Sequence, residues 1–186
     1  MRVSLSRDEA YPARMTLEIV WTRKALALPE EVRRELASRL NRLHPYFPEM
    51  KTKVKIGITR ALDGLAFQST EGVVKLMLDV RRRRDGSWKY PTYWTMAHEL
   101  MHLAQFNSNG TPSGERACDV YALARMPPRF IDDSPSYLVV PPAGRKSWGR
   151  KEAALAHRLA VEAIDKRSAG LVRYAVWWEN EFEKRL

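Results

Sequence analysis

Met96-Ala97-His98-Glu99-Leu100-Met101-His102-Leu103-Ala104 sets two histidines four residues apart, with one carboxylate between them, in an otherwise apolar stretch. In a helix of about 3.6 residues per turn, positions 98 and 102 share a face and stand one turn apart. Two imidazole nitrogens so spaced suit a single tetrahedral zinc ion at about 2.0–2.1 Å. Glu99 projects to the side, where it is a poor third ligand but lies within reach of a water activated by the metal. A glutamate surrounded by Met96, Ala97, Leu100, Met101, Leu103 and Ala104, with no evident arginine partner, calls for a chemical reason to be charged there. His98 and His102 are therefore candidate metal ligands and Glu99 a candidate general base.

Downstream, the periodicity predicts a helix from Thr92 to about Phe106, stopped by Asn107-Ser108-Asn109-Gly110. Thr111 reads as the N-cap of a second helix, with Pro112 in its first turn, running to about Arg125 before Pro127-Pro128. A catalytic zinc site takes three protein ligands and keeps one position open. The other two histidines, His44 and His157, lie outside the short downstream span, whereas the second helix carries Glu115 and Asp119 four residues apart. Glu115 sits near the helix N-terminus, where free amides favour a carboxylate. Asp119 as the ligand, a distant ligand such as Glu152 or His157, and thiolate ligation by Cys118 remain open at this point. A lone helical cysteine between Ala117 and Asp119, followed by Val120, more often packs than ligates.

The two motifs His98-Glu99-Leu100-Met101-His102 and Glu115-Arg116-Ala117-Cys118-Asp119 together resemble the gluzincin, or thermolysin-like, zinc metallopeptidases, and especially their compact single-domain members. The resemblance covers 73–125, about a third of the chain. It implies that Glu115 is the third zinc ligand and that Asp119 orients His98 through the non-ligating ring nitrogen, fixing the tautomer. It also implies an α+β, zincin-like metallopeptidase domain with a small twisted sheet and an active-site helix pair. The implied reaction is hydrolysis of peptide bonds through a metal-activated water, with Zn2+ as cofactor and a peptide or protein as substrate. A donor for the developing oxyanion is implied downstream of the third ligand; Tyr137, His157 and Arg129 are the candidates in that order.

Upstream, 15–21 alternates as an early strand, and Pro29-Glu30-Glu31 opens a helix to about Leu43 with Val32, Leu36, Leu40 and Leu43 as its buried stripe. Three extended runs follow: 53–59, 65–69 after the Asp63-Gly64 turn signal, and 73–80. The last places Val74, Leu76, Leu78 and Val80 on one face and Val73, Lys75, Met77 and Asp79 on the other, in a twisted, partly antiparallel sheet. In zincin folds the strand before the active helix forms the rim of the cleft, so the free edge of 73–80 is expected to take up substrate main chain by strand addition. Arg81-Arg82-Arg83-Arg84-Asp85-Gly86 reads as an exposed charged turn, and 129–145 as a long surface connection able to line a cleft. Two further helices are expected over 151–165 and 171–184, the second attached through Tyr174 and Trp177-Trp178.

The chain of 186 residues supports one good core, so a single domain over 1–186 is expected. No apolar run reaches membrane-spanning or signal-peptide length, and one cysteine excludes an internal disulfide, which together suggest the cytoplasm. A formal charge of +10 favours polyanionic partners, yet no basic–aromatic recognition motif accompanies it in the linear sequence. A nucleic-acid-associated protease or binding protein and a non-catalytic zinc-stabilised adaptor are the two alternatives to a peptidase.

Overall fold

Four strands form a mixed sheet in the order β1-β2-β4-β3, where β1 is Glu18–Trp21, β2 Lys53–Thr59, β3 Gly64–Gln68 and β4 Val74–Asp79. The computed structural model describes residues 17–50, 53–60, 63–68, 74–107 and 110–186. β1, β2 and β4 run parallel, and β3 is antiparallel to β4 at the edge, with Gly64 opposite Leu78 and Ala66 opposite Leu76. The period-two pattern explains which side is covered: Val54, Ile56, Val74, Leu76 and Leu78 are buried, while Lys53 and Lys55 are exposed. The fold is α+β.

This pairing corrects the expectation for the strand over 73–80. β4 is bonded to β2 through 75–79 and to β3 through 74–78, so Val74, Lys75, Leu76, Met77, Leu78 and Asp79 belong to a central strand without a free edge. Val80 lies beyond its end, and Val73 lies outside the described residues. The reason is topological: the short β3 folds back along β4 and occupies the side that substrate was expected to use. The outer strand on this side of the sheet is β3.

Helices flank the sheet. Thr22 caps α1 (Arg23–Leu26) by accepting from the Ala25 N–H, and α2 (Glu30–Leu43) buries Val32, Leu36, Leu40 and Leu43 at the expected spacing. The arginine-rich stretch is a small hairpin rather than a plain turn: β5 (Arg81–Arg82) pairs with β6 (Trp88–Lys89) around Gly86, whose φ is +84°. The histidine helix is α3 (Tyr93–Asn107), capped at long range by Asp132, whose two carboxylate oxygens accept from the Tyr93 and Trp94 amides at 3.0 and 2.9 Å.

Helix α4 (Glu115–Arg125) starts later than expected. Its cap is Gly114 at φ +100°, a backbone that disfavours any side chain, and Thr111 lies outside the first turn. The consequence matters for function, because Glu115 becomes the first helical residue. Between α4 and the C-terminus come α5 (Pro142–Lys146), α6 (Arg150–Ser168) and α7 (Tyr174–Arg185). Trp178 of α7 is fully buried, donates its indole N–H to the Ala156 carbonyl at 3.1 Å and stacks on Phe182. Buried residues from Leu17 to Phe182 form one hydrophobic cluster on which α3 and α4 are seated. Among the described residues, no helix is long and apolar enough to cross a membrane.

Candidate metal centre

His98 and His102 project from the same face of α3, with ring centroids 4.8 Å apart. Each imidazole is oriented through its Nδ1. His98 Nδ1 lies 2.8 Å from Asp119 Oδ1, and a carboxylate oxygen only accepts, so Nδ1 carries the proton. His102 Nδ1 lies 3.1 Å from Gln105 Oε1, while the Gln105 amide donates to the Pro112 carbonyl at 2.7 Å, which fixes that amide's orientation. Both rings therefore keep Nδ1 occupied by a neighbour and turn Nε2, the candidate ligand atom, toward one point.

Glu115 brings its Oε2 to that point. This oxygen is 3.0 Å from each of the two Nε2 atoms, and the two Nε2 atoms are 3.1 Å apart. Three lone-pair donors thus form a nearly equilateral triangle. Two ligands held at about 2.05 Å by a tetrahedral ion stand roughly 3.3 Å apart, so the triangle has nearly the dimensions of one face of such a shell. Without a cation or protons between them, three such atoms repel one another.

Cys118 lies close by: His98, His102 and Cys118 form a largely buried group able to hold a metal ion, with ligand atoms within 4.8 Å of one another. The cysteine competes poorly with Glu115 on chemical grounds. Its Sγ donates to the His98 carbonyl at 3.1 Å, and burial, reinforced by the Asp119, Glu99 and Glu115 charges, pushes the thiol well above its usual range, away from the thiolate that ligates metals. Glu115 is half-exposed, and its Oε2 lies 3.0 Å from each histidine Nε2.

Asp119 is fully buried and fully employed. Its second oxygen accepts from the Tyr137 and Leu138 amides at 2.8 and 3.1 Å. Burial opposes a charge on His98, but the hydrogen bond and charge of Asp119, with Glu99 and Glu115 behind it, prevail and raise the imidazole pKa in the metal-free protein.

Glu99 points to the side of the histidine pair, into a cleft of roughly 240 Å³ lined by Gly64, Leu65, Ala66, His98, Glu99, His102, Glu115 and Tyr137. It is nearly buried. Burial is the main cause that pushes its carboxyl up to about 7, Glu115 adds to the rise, and His98 and the Ala66 N–H, which donates to the carboxylate, oppose it. Since Ala66 spends its N–H on Glu99 rather than on β4, this residue's peptide groups face the cleft.

The remaining expected residues divide. Tyr137 lines the cleft and stacks on His98, with centroids 5.3 Å apart and planes 19° from parallel. Burial and then the Glu115, Glu99 and Asp119 charges raise its hydroxyl pKa, which keeps it a proton donor. His157 bonds to the Leu123 carbonyl at 2.8 Å, and Arg129 reaches Tyr46 while lying over Phe130; neither lines the cleft. Three contributors escaped the sequence: Gly64 and Ala66, which resembled ordinary hairpin residues, and Gln105. Its place three residues after His102 on the same helix face was the available signal for Gln105.

Compared with protein-family models, with curated proteins and with solved structures, the chain finds no match in any of the three.

Proposed function

We propose that the protein is a zinc-dependent peptidase of gluzincin type, with His98, His102 and Glu115 as ligands, Glu99 as general base and Asp119 orienting His98. The observation that carries this reading is the convergence of the two Nε2 atoms and Glu115 Oε2 to within 3.0–3.1 Å, beside a cleft that holds a separate carboxyl. The ligand types, two imidazoles and one carboxylate, suit zinc, and the open side faces the cleft. The family assignment rests on the two motifs quoted above.

Bound zinc would supply Lewis acidity, making a water more acidic and polarising a substrate carbonyl. The residues do the rest. An extended peptide lies along the outer edge of β3, where Ala66 lines the cleft with its N–H held by Glu99 and its carbonyl left for pairing, and this lays the scissile carbonyl over the ligand triangle. Glu99 accepts a proton from the attacking water; a pKa near neutrality in the metal-free protein suits a group that must both take and return a proton. As the C–N bond breaks, protonated Glu99 passes the proton to the leaving amine. Tyr137, across the cleft, donates its hydroxyl to the carbonyl oxygen as negative charge develops there.

The test combines elemental analysis with peptide hydrolysis for the wild type, Glu99→Gln and His98→Ala. Glu99→Gln should keep one zinc per chain and lose activity by about 10²–10⁴-fold; His98→Ala should lose both. Zinc binding without hydrolysis by the wild type, and unchanged behaviour of Glu99→Gln in every assay, would point to a structural metal site and end the peptidase reading.

A further inference from the structure

Tyr137 sits in an irregular strap, 134–139, whose position is set by groups from several helices. Asp119 of α4 takes the Tyr137 and Leu138 amides. Arg145 of α5 donates to the Leu138 carbonyl and to Ser134 Oγ, each at 3.1 Å. The Val139 amide goes to Glu179 Oε1 of α7 at 2.9 Å, although the Val139 side chain is 66% exposed and adds little packing of its own.

Glu179 is only 8% exposed, and its other oxygen accepts from Arg116 at 2.5 Å. Arg116 follows Glu115 in the first turn of α4. One buried carboxylate therefore joins the turn that carries the third ligand to the strap that carries Tyr137. Charge-assisted bonds of this kind are short and directional, and a buried carboxylate that loses its donors is costly, so the link resists stretching. α7 itself is anchored by Trp178 and Phe182.

We infer that Glu179 is a positioning residue for the cleft: from the last helix it fixes the strap against the first turn of α4, so that the Tyr137 ring stays on His98 and its hydroxyl stays over the cleft. The purpose of that hydroxyl rests on the peptidase reading, but the geometry Glu179 holds can be measured without it. Glu179 itself does not line the cleft; its effect passes through Val139 and Arg116.

The experiment follows the ring–ring contact between Tyr137 and His98 by nuclear Overhauser measurements on zinc-free, isotopically labelled protein, with zinc content and steady-state kinetics alongside. Glu179→Ala should lose the ring contact while retaining zinc, and kcat should fall roughly a hundredfold with KM little changed, as for a misplacement of about 1 Å. Glu179→Gln keeps an oxygen for the Val139 amide but turns its NH2 against Arg116, so it should restore the contact only in part. A folded Glu179→Ala protein that keeps the contact overturns the inference. If Glu179→Ala does not fold, Val139→Pro deletes the single N–H at an exposed site; loss of the contact there supports the inference and its persistence overturns it. A wild type without peptidase activity whose ring contacts respond as described would sink the peptidase reading and leave the positioning role standing.

Discussion

A Cβ placed on Gly64 would fall 2.6 Å from Glu99 Cγ and 2.7 Å from Glu99 Oε1. The outer strand thus passes directly over the candidate base, and only a residue without a side chain lets the carboxyl keep its place. What the clash would move is the end of a flexible side chain rather than backbone.

Gly64→Ala should therefore fold, bind zinc and lose activity, because the displaced Glu99 gives up both its position and the Ala66 hydrogen bond. We expect kcat to fall by roughly 10²-fold with zinc stoichiometry unchanged. Wild-type turnover in the alanine variant would show that Glu99 does its work from elsewhere.

Asp119→Asn tests the orienting carboxylate. One Asp119 oxygen faces the His98 Nδ1–H and the other faces two amides, so either orientation of an asparagine sets its NH2 against donors. Zinc affinity, measured by competition with a chelator, should weaken by about 10–100-fold. Stability in urea should drop by about 1–3 kcal/mol. Unchanged affinity would remove Asp119 from the site.

The third ligand is decided by a pair of variants. Glu115→Gln should weaken zinc binding severely, whereas Cys118→Ala should leave it intact and cost only about 1 kcal/mol for a small buried group. The reverse pattern would assign the thiol, with Glu115 reduced to a neighbour.

A pH-dependent contribution is expected away from the cleft. Glu49 receives both terminal nitrogens of Arg125 at 2.7 Å each. Partial burial works to raise its pKa, but the Arg125 hydrogen bonds and charge outweigh it, and the folded value lies below 4.5. A lowered folded pKa means that this stabilisation is fully present above the unfolded pKa and is lost as pH falls through the folded one. Comparing wild type with Glu49→Gln in urea from about pH 7 to about pH 3 should give a difference that shrinks only below about pH 4.5. It should not exceed about 1 kcal/mol, since the pair is partly exposed; a flat difference across the range would mean that the pair contributes nothing.

The residues of the candidate centre were legible because helical geometry is local. Spacings of four put His98 over His102 and Glu115 over Asp119 whatever else the chain does, and the buried stripe of α2 and the alternation in β2 and β4 follow from equally local periodicities. The strand that borders the cleft was not legible. Both β3 and β4 alternate acceptably, and nothing local says which of two neighbouring strands ends at an edge; that depends on β2 pairing in parallel with β4 and leaving β3 outside. The hairpin around Gly86 was hidden for a similar reason, since four arginines look like solvated loop until the pairing of Arg81 and Arg82 with Lys89 and Trp88 is seen.

By itself, then, the order of amino acids determined two helices with candidate ligands on them and the chemistry of their side chains, because contacts one helical turn apart need only the rise and twist of the backbone. Tertiary structure alone decided that the helices meet with three lone pairs at 3.0–3.1 Å, that Gly64 makes room for Glu99, and that α7 reaches the strap through Glu179. Those relationships join residues from 13 to 40 positions apart, and packing between elements, which no local spacing encodes, sets them.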